Sequence, residues 1–355
     1  MAVVADSAAQ APAPVLVSVV VVNLDRADLL EACLRSLLAQ DYPCYEIIVV
    51  DNGSTDRSVQ RVRGLNDPRI TLIELPFNLG FAGGCNAGIR AAAGKYIALL
   101  NNDAEARPDW LRRLVEEMCA HPDCGMVASR ILFHGTNIID KAGHRIFWDG
   151  QNRGFGTGRL DGPPFAASGE TLCPDGCAAL YRRELLDETG GFDEDFLAYA
   201  DDADLGLRAR WLGWSARYCG AAVVEHRHSS TSGRFSPDKV YLVERNRIWL
   251  LVKNFPWILI WLSPVTTLYR LGWNLLAGLA GRGAAGNFRR EADWRSLVAS
   301  VGRAWRDAVA GLPAMRIKRR RLRRTRRIPE REFWRLLWRY RISARCLAFE
   351  DYRRD

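Results

Sequence analysis

The chain has 355 residues, enough for one large domain or two ordinary ones, and 48% of them are hydrophobic, as in a globular protein with a substantial core. Its net charge of +9 is uneven, because residues 282–355 hold 22 Lys and Arg against 8 Asp and Glu, whereas residues 1–281 hold 28 against 33. The slightly acidic body argues against a nucleic-acid-binding surface there, while the basic tail is compatible with nucleic acid or anionic lipid headgroups.

The N-terminus and the cysteines indicate a cytoplasmic protein. Residues 1–14 are rich in Ala and Pro and lack the basic start and apolar core of a secretory signal, so we expect a disordered leader. The nine cysteines form no C-x-x-C motif and are typical of reduced thiols. Cys173 and Cys177 lack the second pair that a zinc site needs.

From residue 15 the sequence alternates between apolar β-type segments and segments with helical spacing. Strands are expected over residues 15–22, 47–50, 70–75 and 96–100, and helices over residues 26–40, 56–64, 83–93 and 108–120. This alternation predicts a three-layer α/β fold with a mostly parallel sheet. No G-x-G-x-x-G follows the first strand, which argues against a dinucleotide-binding domain and against sugar-phosphate nucleotidyltransferases.

The middle of the chain is richer in glycine and aromatic residues. Residues 148–158, "WDGQNRGFGTG", predict a mobile loop. Two short helices are expected over residues 184–189 and 202–212, each ended by glycine, and they bracket an acidic cluster.

The C-terminal part combines an apolar segment with a basic one. Residues 255–269 are uncharged, but they fall short of the roughly 20 residues that span a bilayer, and Pro256 and Pro264 interrupt them. Four nearby Trp residues favour a helix at the membrane interface. Residues 316–327 hold nine basic residues in twelve. They are either a solvated tail or a site for anionic lipid, and the apolar segment beside them favours lipid.

Polar residues that can carry chemistry follow the apolar strands in a fixed order. They occupy residues 51–56 ("DNGSTD"), 78–86, 99–103 ("LLNND") and 199–204 ("YADDAD"), and a His-rich strand end follows at His226 and His228. Each segment alone has a structural explanation as a turn, a helix cap or a favourable charge at a helix start. Together they predict a ligand site where parallel strands end.

These motifs resemble the family 2 inverting glycosyltransferases of the GT-A fold. The matching segments are "SVVVVNLDRADLLEACLRSLLAQDYPCYEIIVVDNGSTD", "NLGFAGGCNAGI", "LLNNDAE", "GGFDEDFLAYADDADLGLRARWLGW" and "VVEHRHSSTSG". The resemblance covers residues 15–235 strongly, and within the family it is greatest to bacterial rhamnosyltransferase-like members. It implies a GT-A catalytic domain over residues 15–238 and a helical, basic, membrane-associating extension over residues 239–355.

The resemblance also implies a nucleoside-diphosphate-sugar site, with Asp51 at the base and Asn23 beside it. The residues assigned to the donor are Asn23, Asp51, Asn52, Asn78, Gly80, Asn86, Asn102 and Asp103. A divalent metal, Mg²⁺ or Mn²⁺, is expected on Asp103 and His226, with His228 as an alternative ligand. The sequence "NND" offers one carboxylate where many members have two, which puts a full metal clamp in doubt.

Inversion needs one base, and the resemblance assigns that role to Asp202. Clustered like charges are expected to raise one carboxylate's pKa towards a useful value. The residues assigned to the acceptor are Asp175, Gly176, Asp201, Trp211 and Trp214. For Trp211 and Trp214 a place in the core is an equal alternative.

The sequence therefore predicts an enzyme that moves a sugar, L-rhamnose from dTDP-rhamnose, to a lipid-linked or cell-envelope glycan. We expect it on the inner face of the cell membrane, held by an anionic membrane surface, with a homo-oligomer left open. The alternative is a catalytically silent protein that binds a nucleotide sugar or a polyanion through its basic tail.

Overall fold

A computed structural model describes residues 15–228, 236–283 and 294–350. The predicted disordered leader, residues 1–14, lies outside the described residues.

The described residues form one ten-stranded sheet and a separate two-stranded sheet of β8 and β9. The strands are β1 (Val17–Asn23), β2 (Tyr45–Asp51), β3 (Ile70–Glu74), β4 (Tyr96–Leu100), β5 (Ala104–Ala106), β6 (Cys124–Phe133), β7 (Ile139–Lys141), β8 (His144–Ile146), β9 (Asn152–Gly154), β10 (Gly169–Glu170), β11 (Ala178–Arg182) and β12 (Ser215–His226). The large sheet runs β10-β12-β6-β11-β4-β1-β2-β3, with β5 and β7 at its side. Strands β1 to β4 are mutually parallel where they pair, and β11 runs antiparallel to both β4 and β6. The edge strands β5, β7 and β10 also pair antiparallel with their neighbours.

Helices connect the parallel strands and cover both faces of the sheet. They are α1 (Ala27–Leu38), α2 (Ser58–Leu65), α3 (Gly80–Ala91), α4 (Trp110–Ala120), α5 (Pro163–Ala166), α6 (Arg183–Thr189) and α7 (Asp201–Trp211). Along β1, Val19 packs with Leu34 of α1, whereas Val20 packs with Ile89 of α3. Successive strand residues thus face opposite layers, which confirms the predicted three-layer α/β fold class.

Small residues let α3 lie close to the sheet. A Cβ atom added at Gly88 would lie 2.3 Å from Cγ1 of Val20, so any larger residue would push the helix away. The glycine and alanine content of this segment is therefore a packing requirement of the sheet behind the site.

Six helices follow the sheet in the part of the sequence that the structure describes. They are α8 (Pro237–Asn254), α9 (Trp257–Leu279), α10 (Trp294–Ala310), α11 (Leu312–Thr325), α12 (Glu330–Arg339) and α13 (Ala344–Phe349). The predicted division between residues 238 and 239 falls in the first turn of α8. No helix in the described part of the chain is both long and apolar enough to cross a bilayer.

The C-terminal helices share a hydrophobic cluster with the sheet. Phe255 and Phe333 are fully buried and belong to the cluster that contains Val20 and Ile97 of the sheet. The ring of Trp211 stacks on Phe333 with centroids 4.0 Å apart and planes 10° apart. The C-terminal helices therefore complete the core behind α7.

Helix α9 passes through Pro264 without a break, although the sequence suggested an interruption there. A proline has no N–H to donate to the carbonyl four residues earlier. The hydroxyl of Ser263 donates instead to that carbonyl, of Ile260, at 2.8 Å. This local replacement lets the apolar segment continue as one helix to Leu279.

Four charged side chains, here called the α9 ion cluster, attach α9 to the body: Asp149, Glu244, Arg247 and Arg270. Arg270 donates to Asp149 at 2.7 Å and to Glu244 at 2.9 Å. Arg247 donates to the other oxygen of Glu244 at 2.9 Å. Burial alone would raise the pKa of Glu244, but the two arginines outweigh it and lower the pKa to about 2.

The prediction of a loop over residues 148–158 is wrong for Asn152–Gly154, which is β9 and pairs with β8, while the residues on either side form turns. Asp149 lies in the turn of this β8–β9 hairpin, where Arg247 also donates to its backbone carbonyl at 2.9 Å. Arg247, 98 residues further along the chain, thus holds a hairpin turn whose own sequence predicts only a loop.

We predict that Glu244→Gln lowers the free energy of unfolding by about 3 kcal/mol at neutral pH, because it leaves two buried arginines short of a carboxylate. The folded pKa of about 2 lies below the ordinary 4.5, so the contribution is complete above about pH 4.5 and is lost as pH falls towards 2. Urea unfolding of both proteins across this range should show the difference shrinking. Glu116→Gln, at an exposed ion pair on α4, is the control and should change little. A difference that does not vary with pH would contradict the assignment.

Candidate functional site

The ends of β1, β2 and β4 carry polar side chains that lie next to one another. Asn23 and Asp51 are paired residues in the parallel register of β1 and β2, and the Asn23 amide lies 3.5 Å from Asp51 Oδ1. On the other side, Asn102 donates to Asn23 Oδ1 at 2.7 Å. The backbone N–H of Ser54 donates to Asp51 Oδ2 at 3.0 Å. These predicted site residues therefore meet at one edge of the sheet, with the Asp51 carboxylate held in one orientation.

Asn52, Asn78 and Gly80 build the turn that begins α3. The Asn52 amide donates to Asn78 Oδ1 and to the Gly80 carbonyl, both at 3.0 Å, and its oxygen accepts from Leu79 N at 2.9 Å. Gly80 has a φ of +74°, and a Cβ there would lie 2.7 Å from the Leu197 carbonyl oxygen. Asn52 is thus occupied by the turn, which corrects its prediction as a donor contact. Asn78 and Gly80 shape the wall of the site.

Asn86 is also placed differently from the prediction. It is buried in α3, and its amide donates to the Phe192 carbonyl at 2.9 Å and to Glu194 at 2.8 Å. Its oxygen accepts from Phe192 N at 2.9 Å. These three bonds tie α3 to the segment before α7, so both N–H groups of the Asn86 side chain are already used within the protein.

Asp103 and His226 lie in contact, as expected for two ligands of one ion. The antiparallel pairing of β5 with β12 places His226 opposite Ala104, next to Asp103. His226 Nε2 lies 3.1 Å from Asp103 Oδ1, and both residues are buried.

A second carboxylate, Asp140, joins this pair. Asp140 Oδ2 lies 2.9 Å from His226 Nδ1 and 2.8 Å from His228 Nε2. Asp140 ends the apolar stretch of β7, the same pattern of apolar residues running into a carboxylate that drew attention to Asp51 and Asp103. The sequence reasoning missed it because β7 has only three residues.

The charges of this cluster compensate one another. Burial opposes protonation of His226, but Cys177, Asp103 and Asp140 outweigh it and raise the pKa of His226 well above its ordinary value. Burial likewise opposes ionisation of Asp140, but Lys141 and the two histidines lower its pKa. The cluster thus holds positive charge between two carboxylates.

The donor set fits a divalent cation. Asp103 contacts Nε2 of His226, while Asp140 contacts Nδ1 on the other side of the ring and could orient it for a cation held with Asp103. Asp140, His226 and His228 form a second group, since one ligand atom of each lies within 4.8 Å of the others. Carboxylate oxygens and imidazole nitrogens suit Mn²⁺, and carboxylates suit Mg²⁺. A cation here would replace the proton of His226.

Asp202 lies in the first turn of α7, and backbone N–H groups donate to both of its carboxylate oxygens. Its Oδ2 accepts from Gly176 N at 2.9 Å, and its Oδ1 accepts from Ala203 N at 2.7 Å. Ala200, just before the helix, has a φ of +62°, a left-handed conformation that turns the chain sharply at this point. No cation contacts Asp202 directly among the described residues except the ring of His144, at 3.5 Å.

His144 connects Asp202 to a buried ion pair. Its Nε2 also lies 2.9 Å from Asp175 Oδ2, which pairs with Lys141 at 2.7 Å. Burial opposes protonation of His144, but Asp202 and Asp175 raise its pKa. Burial opposes ionisation of Asp175, but Lys141 and His144 lower its pKa well below the ordinary value. Asp175, predicted as an acceptor contact, is instead occupied by these two cations.

Asp201 is a buried neighbour of Asp202. It is 3% exposed, and burial together with the Asp202 charge raises its pKa well above the ordinary value. The expected upward shift within the acidic cluster thus falls on Asp201. Its burial does not fit the predicted contact with an acceptor.

The two tryptophans of the motif lie away from Asp202. Trp211 is buried against Phe333, and its Nε1 donates to the Asn254 carbonyl at 2.9 Å. Trp214 follows the other end of α7, and its Nε1 donates to Glu188 at 3.0 Å. The core alternative therefore holds for Trp211, and Trp214 lies in the turn that ends α7, whereas Asp202 lies in the first turn of that helix.

A continuous path of contacts joins all the parts of the site. It runs through Asp51, Asn23, Asn102, Asp103, His226, Asp140, Lys141, Asp175, His144 and Asp202. Each step is a side-chain contact, except the two peptide links from Asn102 to Asp103 and from Asp140 to Lys141. Here this set is called the polar wall. The polar wall connects Asp51 to Asp202, which are 151 positions apart in the chain.

The comparisons with known proteins agree with this geometry. The family model described as Glycosyl transferase family 2 matches residues 18–190. The O-antigen biosynthesis protein RfbC of Myxococcus xanthus is 32% identical over 264 residues, which cover 68% of this chain and 20% of that protein. An N-acetylglucosaminyl-diphospho-decaprenol L-rhamnosyltransferase of Mycobacterium tuberculosis is 27% identical over 292 residues, 74% of this chain and 90% of that one. The chain spans a fifth to under a third of the length of three curated relatives that it matches, one of which is RfbC.

A solved structure shows the same fold. The mannosyltransferase PcManGT from Pyrobaculum calidifontis, in complex with GDP-Man and Mn²⁺, superposes with a TM-score of 0.50 at 22% identity and covers 85% of this chain and 86% of its own. This likeness confirms the predicted fold class.

We predict that Asp140→Asn weakens Mn²⁺ binding about 10- to 100-fold, because His226 loses the charged partner that orients its ring. Titration calorimetry measures this without any reaction. Asp41→Asn, an exposed carboxylate paired with Arg112, is the control and should bind as the unaltered protein does. An unchanged affinity in the Asp140 variant would exclude Asp140 from the metal site.

Proposed function

We propose that this chain, whose residues 18–190 form a Glycosyl transferase family 2 domain, transfers a sugar from a nucleoside diphosphate to a hydroxyl group with inversion at the anomeric carbon. The observation that carries the proposal is the polar wall. It aligns a carboxylate for the nucleotide, a donor set for a cation and a carboxylate for the acceptor along one connected feature.

Asp51 and Asn23 receive the nucleotide base in this proposal. Both lie at the carboxyl ends of adjacent parallel strands, where α/β folds bind ligands. The donor that we propose is dTDP-L-rhamnose. Its support is the name of the mycobacterial relative, which acts as an L-rhamnosyltransferase and is covered over 90% of its length.

Asp103 and His226, with Asp140 oriented behind them, are the residues that would hold Mg²⁺ or Mn²⁺. When bound, the cation supplies positive charge that stabilises the departing diphosphate. The protein itself contributes a rigid, buried ligand set, since β5 and β12 fix Asp103 and His226 relative to each other.

Asp202 is the proposed base. It takes the proton of the acceptor hydroxyl while that oxygen forms a bond to the anomeric carbon and the bond from this carbon to the diphosphate breaks. The N–H groups of Gly176 and Ala203 hold the two Asp202 oxygens in place. Because these donors are neutral, Asp202 is not locked in an ion pair with Lys or Arg.

The proposed acceptor is a lipid-linked glycan on the inner face of the cell membrane. Two relatives carry names that describe such acceptors, a diphosphoundecaprenol and a diphospho-decaprenol sugar. The chain would then work as a peripheral protein at a membrane surface.

We predict that Asp202→Asn reduces turnover about 10²- to 10⁴-fold and leaves donor binding intact, because only proton transfer is lost. Product formation and donor affinity are measured on the same preparation, with thermal melting as a check of folding. Asp187→Asn, exposed on α6, is the matched control and should keep full turnover. A folded Asp202 variant with normal turnover would remove Asp202 as the base. Donor binding without turnover in the unaltered protein would favour the catalytically silent alternative.

The donor is tested with a panel of nucleotide sugars in the presence of Mn²⁺. We expect thymidine diphosphate to be released from dTDP-L-rhamnose faster than any other nucleoside diphosphate from its sugar. Chromatography of the released nucleotides measures this. Faster release from another donor would overturn the rhamnose assignment and leave the transferase assignment standing.

A further inference from the structure

We infer that the outer face of α9 docks on an anionic phospholipid bilayer and lies in the plane of its interface. This inference deepens the proposed function and rests on it, because a position on the membrane serves catalysis only if the acceptor is lipid-linked. Its test measures lipid binding alone, so the two can fail separately.

The outer face of α9 is an apolar stripe. Its members, each more than half exposed, are Ile258, Trp261, Val265, Leu268, Leu275 and Leu279. Spacings of three, four and seven residues put them on one side of the helix. The helix has 23 residues, so the stripe extends along roughly 34 Å. Isolated exposed apolar residues are normal, but a contiguous stripe of this length marks a binding surface.

The distribution of charge along α9 supports the same conclusion. Arg270 is the only charged residue between Trp257 and Leu279, and it is buried in the α9 ion cluster with Asp149 and Glu244. The buried side of the helix therefore carries its one charge, while the exposed side carries none. This is the reverse of a helix whose outer face contacts water.

Charge beside the stripe identifies the occupant. The Arg319 guanidinium of α11 lies over the ring of Trp257, 4.4 Å from its centroid, so α11 meets the first turn of α9. Arg316, Arg320 and Arg324 lie four residues apart on α11, are exposed, and pair with no carboxylate among the described residues. Anionic headgroups supply the missing negative charge. A second copy of the chain would cover the stripe but bring another arginine-rich helix with it.

The exposed aromatic residues of α9 fit the interface and not the bilayer centre. Trp257, Trp261 and Tyr269 are all exposed, and rings of this kind prefer the headgroup region. The helix is not apolar enough to span a bilayer. An in-plane position with α11 alongside satisfies both observations.

Docking in this way would fix the position of the proposed base relative to the membrane. The α9 ion cluster includes Asp149, in the turn of the β8–β9 hairpin, and β8 begins with His144, which touches Asp202. The helix on the bilayer and the base thus share one short hairpin. The distance from the bilayer surface to Asp202 would then be fixed, as an acceptor anchored by its lipid in that bilayer requires.

The test is cosedimentation of the full chain with sucrose-loaded phosphatidylcholine vesicles, with and without about 30% phosphatidylglycerol. We expect binding to the anionic vesicles that weakens with added salt, and at least roughly tenfold weaker binding to the neutral ones. The double variant Trp261→Glu/Leu268→Glu should bind anionic vesicles at least roughly tenfold more weakly. Both positions are exposed, so the fold and the Mn²⁺ affinity should not change.

Two further variants separate the contributions. The triple variant Arg316→Gln/Arg320→Gln/Arg324→Gln should lose most of the preference for anionic vesicles. Leu160→Glu is the matched control, since Leu160 is 75% exposed and apolar but lies outside α9, and it should bind as the unaltered protein does.

Three results would overturn the inference. They are no vesicle binding by the unaltered protein, equal binding by the Trp261/Leu268 variant, or a lipid-free dimer that this variant converts to a monomer, which would make a second copy the occupant. Analytical ultracentrifugation reads out the last. Vesicle binding with the expected pattern in a protein that transfers no sugar would leave the inference standing and reject the proposed function.

Discussion

The structure of the polar wall depends on how buried negative charge is compensated. Asp175 is neutralised by Lys141 and His144, and Asp140 is neutralised by His226 and also contacts the ring of His228. Unpaired, each buried carboxylate would cost several kcal/mol or take up a proton. Asp201 shows the second outcome, since burial raises its pKa well above the ordinary value.

Asp202 differs from these neighbours because its oxygens are held mainly by two backbone N–H groups. The same helix start therefore contains a carboxylate that favours its proton and one that is oriented but not neutralised by Lys or Arg. Charge compensation at Asp175 thus leaves Asp202 oriented mainly by neutral donors, which is what the proposed base needs.

The sequence predicted the layers of the fold, because β1 to β4 are apolar runs separated by well-formed helical patterns. It also placed Asn23, Asp51 and Asn102 together, since parallel strands bring their carboxyl ends to one edge. It missed Asp140 and His144, which lie on three-residue strands too short to form a pattern. Asn86 and Trp211 were misassigned because only the folded chain shows that their polar groups bond within the protein.

The C-terminal helices are bonded to α7, the helix that carries Asp202, through Asp204. Its side chain is fully buried and accepts from Arg208 at 2.7 Å, from Lys253 at 2.7 Å and from Asn254 at 2.9 Å, and the last two residues belong to α8. A protein shortened to end before α8 would keep this carboxylate, two residues from Asp202, with Arg208 as its remaining cation. It would also uncover the ring of Trp211. The C-terminal helices therefore complete the packing around α7, and exchanging them between related proteins would require Lys253 and Asn254 to be exchanged together with Asp204.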